Sequence, residues 1–289
     1  MSNLILGTAS FLSGYGVSNR SQKKTIREIE TMLRGAQELG INRFDTAPTY
    51  GEAEEFLGRF LDKSVDLQVS TKLGAADTKS EKLIRASIRN SLSRLQIDTI
   101  ETLYLHDGSS LLREDGEQVF SVLQKLHSEG LIKRIGVSIY TYETLAANYG
   151  SFPELGAYQV PENICDRRLL NNELIKDIAD QNKSVTIRSV FLQGLLLMDS
   201  HEIPDYLIEC KPNVESLKRL AKLSGVSEID LCLSYVKAID WCSGILVGVD
   251  NLDQLEKIVN SDSVLPENWQ EIISPVRVGL ADPRNWQHG

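Results

Sequence analysis

The sequence predicts an α/β protein, a single (β/α)8 (TIM) barrel domain over residues 1–289. Eight short runs rich in Val, Ile and Leu alternate with amphipathic helical patterns, which indicates βα units and a parallel sheet. The apolar runs are nearly continuous, as in strands covered on both faces. Eight such units in about 250 residues favour a closed barrel. An open doubly wound sheet is the alternative, but GTASFLSGYG after the first run lacks the G-x-G-x-x-G turn.

Each predicted strand is a short apolar run bounded by polar or turn-forming residues. The predicted strands are 4–9, 41–47, 66–73, 100–106, 132–138, 156–160, 184–191 and 244–249. The segments between them have apolar residues at helical spacing. The predicted helices are 26–40, 52–61, 78–95, 116–130, 141–149, 167–181, 213–225, 227–239 and 251–259. We expect Thr78 and Glu81 to form a capping box, and Asn251 to cap the last helix with Gln254 three residues on.

Composition and charge exclude several classes of function. The net charge of −9 argues against a general nucleic-acid or anionic-membrane binder, because such proteins usually carry a basic excess. No apolar run is long enough for a transmembrane helix, and the start MSNLILGTAS lacks the features of a signal peptide. The four cysteines show neither a C-x-x-C pair nor zinc-like spacing with histidine. We therefore expect a cytoplasmic protein without a metal, either a monomer or a homodimer.

Polar side chains end three consecutive predicted strands: Asp45 the second, Lys72 the third and His106 the fourth. Active sites of (β/α)8 barrels lie at the C-terminal ends of the strands, so these side chains should be neighbours. Tyr50 would lie on the loop just above Asp45. Taken singly, Asp45 and Lys72 could be a structural ion pair, His106 a core histidine and Tyr50 a loop aromatic. Their joint occurrence at one rim favours a catalytic site.

The segments that carry these residues, FDTAPTYG, STKLG and LYLH, resemble the catalytic segments of the aldo-keto reductases. These are barrel enzymes that reduce carbonyl groups with a nicotinamide cofactor. The resemblance covers nearly the whole chain, through LGTASFLSGYG, IKRIGVS, YQVPENICDRR, FLQGLL and VGVDNLDQLEKIV. It implies that Tyr50 is the general acid, that Lys72 and Asp45 tune it, and that His106 orients the carbonyl.

The chemistry of carbonyl reduction fits these residues independently. Hydride transfer builds negative charge on the carbonyl oxygen, so a donor must neutralise it. A free tyrosine has a pKa of about 10 and is a poor acid near neutrality. We expect the Lys72 ammonium to lower the pKa of Tyr50, and Asp45 to keep that ammonium charged and oriented.

The resemblance also implies a cofactor site, with Ser138 and Gln159 on the nicotinamide carboxamide. Further residues that it places around the cofactor are Arg188, Gln193, Gly194, Gly248, Asp250 and Gln254. Two positions depart from the family pattern. Ile139 stands where an asparagine is usual, and Arg188 stands where a tyrosine often stacks on the nicotinamide. The guanidinium of Arg188 could stack instead, or Arg188 could be an ion-paired barrel residue.

Asp250 stands where the family commonly offers a basic residue to the 2′-phosphate of NADPH. An aspartate repels that phosphate and accepts hydrogen bonds from a free ribose 2′-hydroxyl. NADPH is the family default, and Asp250 raises NADH as the alternative cofactor. Asp250 could instead face solvent while another residue, such as Lys257, meets the phosphate.

The substrate side is polar, since Asp107, Gly108, Ser109 and Ser110 follow His106. Other residues that could reach the rim are Tyr15, Tyr140, Arg113 and Arg167. We expect an NAD(P)H-dependent reductase of a small-molecule aldehyde or ketone, of a polar, sugar-like kind. Two rivals are a nicotinamide-binding regulatory or sensor barrel with little turnover, and a cofactor-free barrel enzyme that uses Lys72 as a Schiff-base amine.

Overall fold

The computed structural model describes residues 3–11, 16–17, 24–261 and 265–286. Its eight parallel strands pair in chain order and close into a barrel, because β1 is bonded to both β2 and β8. The strands are β1 Leu4–Gly7, β2 Arg43–Asp45, β3 Gln68–Leu73, β4 Ile100–Leu105, β5 Ile132–Ser138, β6 Ala157–Pro161, β7 Ser184–Arg188 and β8 Gly244–Val247. The predicted (β/α)8 barrel is confirmed, and the open doubly wound sheet is wrong.

Helices alternate with these strands as the apolar spacing predicts. In the described ranges they are α1 Ile26–Glu38, α2 Ala53–Phe60, α3 Glu81–Leu95, α4 Gly116–Ser128, α5 Tyr142–Ser151, α6 Glu173–Asp180, α7 Lys211–Ser224, α8 Glu228–Lys237, α9 Leu252–Val259, α10 Trp269–Ile272 and α11 Val278–Ala281. Helices α7 and α8 both lie between β7 and β8. Helices α10 and α11 were not predicted, since four residues are too few to show a helical period.

Two predicted helix starts are wrong because local side-chain hydrogen bonds decide where a helix begins. Ser80, not Thr78, caps α3: its side chain accepts a bond from the backbone of Leu83 at 3.3 Å. Thr78 instead lies in the preceding 3₁₀ turn and donates to the carbonyl of Ala75. Helix α6 begins at Glu173 rather than near residue 167, and its N-cap is Asn172, whose side chain accepts the backbone N–H of Ile175 at 3.4 Å.

The seventh strand is shorter than predicted. It ends at Arg188 because Ser189 has a φ of 63°, in the left-handed region, which no strand residue adopts. The chain then turns through Gln193 and Gly194, which also have left-handed φ values of 52° and 87°. These turns carry the loop after β7 back over the end of the barrel.

Helix α2 is anchored tightly to its neighbours, and the loop that precedes it carries Tyr50. A Cβ at Gly58 would lie 2.0 Å from the carbonyl oxygen of Arg94, so only glycine permits this approach of α2 to α3. Glu54 is fully buried, accepts a bond from Thr71 on β3 at 2.7 Å and pairs with Arg94 at 2.6 Å. The loop that carries Tyr50 therefore leads into a helix held by contacts to both β3 and α3.

The C-terminal segment returns to the same end of the barrel. The backbone of Val276 donates to the carbonyl of Cys165, which lies beyond the end of β6, at 2.8 Å. Trp286 is buried and its indole donates to Leu280 at 3.0 Å. Within the described ranges, no helix combines the length and the apolar character that a membrane crossing requires.

Candidate active site

The four predicted catalytic residues come together at the C-terminal ends of neighbouring strands. Asp45 ends β2, Lys72 is the penultimate residue of β3, and His106 directly follows β4. Tyr50 lies in the turn between β2 and α2. All four line one cavity of about 330 Å³. This is the end of the barrel at which (β/α)8 enzymes carry their active sites.

Asp45 and Lys72 form the buried centre of this arrangement, each only 3% exposed. The Lys72 ammonium pairs with Oδ1 of Asp45 and donates to the carbonyl of Thr46 at 2.9 Å. Oδ2 of Asp45 accepts a bond from Nε2 of Gln159, also at 2.9 Å. Both carboxylate oxygens are thus engaged, which offsets the cost of burying two charges. The predicted pairing of Asp45 with Lys72 is confirmed.

Tyr50 lies between the ammonium and the imidazole. Nζ of Lys72 is 5.2 Å from the centre of the Tyr50 ring, and the His106 ring meets that ring edge-on at 6.1 Å. Burial raises the pKa of Tyr50 well above its usual value, and the carboxylate of Asp45 raises it further. The expected lowering of this pKa is not found, because burial, which disfavours the charged phenolate, is the largest influence on it. Tyr50 is therefore a protonated hydroxyl at neutral pH and can donate a hydrogen bond.

His106 is held in its neutral form. Burial, and then the Lys72 charge, lower the pKa of His106 from 6.5 to about 4. A neutral imidazole donates from one ring nitrogen and accepts at the other. It can orient a carbonyl oxygen without adding a second cation beside Lys72.

Ser138 and Gln159 lie side by side and fit an amide group. Ser138 ends β5 and pairs in register with Gln159 in the middle of β6, and each is 2% exposed. Nε2 of Gln159 is used by Asp45, so the amide oxygen is left to accept from a ligand N–H. The Ser138 hydroxyl can donate. Both residues line the cavity with the catalytic four, and the donor and acceptor pattern suits a nicotinamide carboxamide.

The other predicted cofactor residues line the same cavity. These are Arg188, Gln193, Gly194, Gly248, Asp250 and Gln254. The cavity extends to the start of α9 from Asp45, Tyr50, Lys72 and His106, which we call the tetrad. Asn251 caps α9 as predicted, since its side chain accepts the Gln254 N–H at 2.8 Å. The Gln254 side chain does not return to Asn251 and instead accepts the backbone N–H of Asp250 at 2.7 Å.

A lysine that the sequence did not single out lies beside Asp250. Nζ of Lys24 is 3.5 Å from the Asp250 carboxylate, whose side chain is 44% exposed, and it donates to the carbonyl of Ser10 at 3.0 Å. The Lys24 side chain is only 9% exposed. Neither lysine lines the cavity itself, but Ser10 and Asp250, the partners of Lys24, do, whereas Lys257, the cation proposed from sequence, is exposed on α9. Lys24 precedes α1 in a segment without strand or helix pattern, so no periodicity indicated it.

Arg188 lines the cavity, and its hydrogen bonds go to neutral groups. Its guanidinium donates to the Ile139 carbonyl at 2.9 Å and to the Ser189 hydroxyl at 3.1 Å, and it stacks on the Tyr140 ring at 4.0 Å. No carboxylate of the described residues lies within 4.0 Å of it. The interpretation of Arg188 as an ion-paired barrel residue is therefore wrong for the part of the chain described.

The remaining rim candidates divide. Tyr140 lines the cavity, whereas Arg113 and Arg167 do not. Arg113 bonds Thr78 and Asp115, and Arg167 packs on Trp269. Tyr15 lies outside the described residues.

One residue of the cavity lining was not predicted from the sequence. Arg284 lines the cavity from the C-terminal segment. This segment follows the eighth βα unit, so no strand or helix pattern indicated that it returns to the barrel. The residues described contain no group of three or more His, Cys, Asp or Glu side chains placed to hold a metal ion.

Comparison with known proteins agrees with this geometry. The family model described as "Aldo/keto reductase family" matches residues 3–272. The L-galactose dehydrogenase of Arabidopsis thaliana is 31% identical over 284 residues, which cover 89% of this chain and 86% of that protein. The D-arabinose 1-dehydrogenase of Saccharomyces cerevisiae is 24% identical over 271 residues, covering 85% and 80%. The holo form of an aldo-keto reductase from Bacillus halodurans has the same fold, with a TM-score of 0.77 and 21% identity, covering 99% and 95%.

Proposed function

The chain belongs to the aldo/keto reductase family and is an oxidoreductase, and we propose that it reduces an aldehyde or ketone of a polar, sugar-like compound, with Tyr50 as the proton donor. One observation carries this proposal: a protonated tyrosine, a neutral histidine and a buried lysine–aspartate pair face one cavity. Two relatives act on sugars by their names, L-galactose and D-arabinose.

Proton transfer in this site depends on Tyr50. A bound nicotinamide cofactor would supply the hydride, and Ser138 and Gln159 would hold its carboxamide. As charge develops on the substrate oxygen, the Tyr50 hydroxyl donates its proton, and the phenolate that forms is stabilised by the nearby Lys72 ammonium. Asp45 keeps this ammonium in place, and His106 donates a hydrogen bond that orients the oxygen. The same charge pair disfavours Lys72 as a Schiff-base nucleophile, because an amine that attacks a carbonyl must first lose its proton.

The cofactor is a nicotinamide dinucleotide, and the choice between NADPH and NADH depends on Lys24 and Asp250. Lys24 offers a cation to a 2′-phosphate, while Asp250 partly neutralises that cation and repels the phosphate. The half-exposed carboxylate can also accept a ribose 2′-hydroxyl. We propose that the two residues together leave little preference for NADPH over NADH.

Replacement of Tyr50 by phenylalanine tests the catalytic assignment. Removing a general acid typically costs about 10²- to 10⁴-fold in rate, so we expect kcat to fall by that amount on a panel of aldoses. Binding of NADPH and NADH, followed by quenching of tryptophan fluorescence, should stay the same. Tyr142→Phe is the matched control, because Tyr142 is 46% exposed at the start of α5 and is not part of the cavity lining. Undiminished turnover by Tyr50→Phe would remove Tyr50 as the proton donor.

A further inference from the structure

The mouth of the cavity carries two arginines stacked on one aromatic ring. The guanidinium carbon of Arg284 lies 3.6 Å from the centre of the Tyr140 ring, and that of Arg188 lies 4.0 Å from it. Two guanidinium groups so close to one ring centre cannot share a face without overlapping. Arg188 and Arg284 therefore lie on opposite faces of Tyr140, which holds both cations at the mouth through cation–π contacts.

The hydrogen bonds of these arginines leave donors free. The Asp282 carboxylate accepts hydrogen bonds from Nε and Nη2 of Arg284, at 3.0 and 2.6 Å. Among the described residues, Nη1 of Arg284 has no hydrogen-bond partner. In Arg188 the terminal nitrogens bond neutral oxygens, and the buried Nε has no partner in the part of the chain described. A guanidinium normally satisfies its planar donor edge with a carboxylate or phosphate.

The local charge balance points in the same direction. Three of the positive charges in and beside the cavity are paired with a carboxylate. The pairs are Lys72 with Asp45, Lys24 with Asp250 and Arg284 with Asp282. Arg188 is the charged side chain of the cavity lining for which the described residues offer no opposite charge within 4.0 Å. Asp166 and Asp282 are near enough for the Arg188 charge to lower their pKa values, but neither carboxylate pairs with it within 4.0 Å. The charge of Arg188 also acts on both Tyr50 and His106, and all three residues line the same cavity.

We propose that Arg188 and Arg284, braced by Tyr140, form an oxyanion-binding subsite, and that the substrate is a polar carbonyl compound that carries a carboxylate or a phosphate ester. This proposal rests on the reductase function above and names its substrate class. It assigns Arg188 to the substrate rather than to the nicotinamide: one face of its guanidinium is already covered by Tyr140, and a cationic, oxidised nicotinamide would be repelled by it.

Matched substrates test the subsite in the unmodified protein. D-Glucuronate and D-glucose differ in a carboxylate, and D-glyceraldehyde 3-phosphate and D-glyceraldehyde differ in a phosphate. A hydrogen-bonded charge contact contributes enough for a tenfold or larger preference, so we expect kcat/KM for at least one anion to exceed that of its neutral partner by about tenfold. The pair that shows the preference identifies the group. Equal values in both pairs would overturn the subsite and leave the reductase function intact.

Variants then locate the preference. Arg188→Gln and Arg284→Gln should each reduce the ratio of anionic to neutral kcat/KM by about tenfold, and Arg188→Lys should restore part of it because it keeps the charge. Arg113→Gln is the matched control, since Arg113 bonds Thr78 and Asp115 away from the cavity. An unchanged ratio in both Gln variants, or loss of NADPH affinity with the ratio retained, would contradict the assignment.

A binding measurement separates this proposal from the reductase function. D-Glucarate has two carboxylates and no aldehyde or ketone group to be reduced. Its affinity therefore does not depend on turnover, and calorimetry can compare it with that of neutral D-glucitol. We expect D-glucarate to bind more tightly than D-glucitol, and Arg188→Gln to abolish the difference. If every aldehyde failed as a substrate and neither cofactor bound, the reductase proposal would fail, and this binding difference would still decide the subsite.

Discussion

At the catalytic end of the cavity, Asp45 and Lys72 are each 3% exposed, and Gln159 and Thr46 satisfy their remaining polar atoms. At the outer end, Lys24 meets Asp250 at 3.5 Å, and the Asp250 side chain is 44% exposed. Both are lysine–aspartate pairs on the rim of one barrel. In the first pair neither charge can be removed without leaving the other buried and unpaired, whereas in the second pair the Asp250 carboxylate already reaches water. The comparison teaches that the catalytic end is sensitive to substitution and the outer end is free to vary.

The sharpest test of this difference is the same substitution at both ends. Asp45→Asn leaves the Lys72 ammonium buried without its counter-charge, so we expect the free energy of unfolding to fall by about 3–5 kcal/mol. Asp250→Asn should change it by less than about 1 kcal/mol, since the Asp250 carboxylate is 44% exposed and Lys24 keeps its bond to the Ser10 carbonyl. Urea unfolding of the two variants beside the unmodified protein measures both. Equal losses would mean that burial does not distinguish the two pairs.

The pH dependence of stability probes the catalytic end through His106. The pKa of His106 is lowered from 6.5 to about 4 in the folded protein. Between pH 6.5 and pH 4, His106 is therefore protonated in the unfolded chain but neutral in the folded one. The free energy of unfolding is unaffected by His106 above pH 6.5. As the pH falls from 6.5 towards 4, it decreases by up to about 3 kcal/mol because of this one residue.

Urea unfolding at pH 4–7 checks this effect as a difference between the unmodified protein and His106→Gln, which should lose that part of the decline. His201→Gln serves as the control, because His201 is exposed and does not line the cavity. If both histidine variants followed the unmodified protein over this range, burial of His106 would not be what keeps it neutral.

The smallest expected effect is at the outer end and concerns the cofactor. Asp250→Asn frees the Lys24 charge and removes a repulsive carboxylate, so the affinity for NADPH relative to NADH should rise. The charges are partly exposed, and a gain of about twofold to fivefold is expected. Parallel fluorescence titrations with both cofactors measure the ratio. Asp253→Asn, in the first turn of α9 but outside the cavity lining, is the matched control. A fall in the ratio would assign to Asp250 a role opposite to the one proposed.

Much of the fold and the catalytic end could be predicted because both depend on local patterns. Alternating apolar runs and helical periods imply a parallel sheet, and the barrel rule then places Asp45, Lys72 and His106 at one rim. The start of α3 was misplaced because Thr78 and Ser80 both suit an N-cap, and only the backbone geometry distinguishes them. The shift in the Tyr50 pKa was predicted with the wrong sign, because burial depends on everything packed around the ring.

The sequence by itself determined the barrel, the order of its units and the four residues at its catalytic rim, since each follows from spacing along the chain. Tertiary structure alone decided that Gln159 binds Asp45, that Lys24 meets Asp250 and that Arg284 reaches Tyr140. Arg284 and Tyr140 are far apart in sequence and belong to no shared repeat, so nothing local records their contact. Whether two charges compensate each other depends on the distance between them in space, and that distance is fixed only when the chain folds.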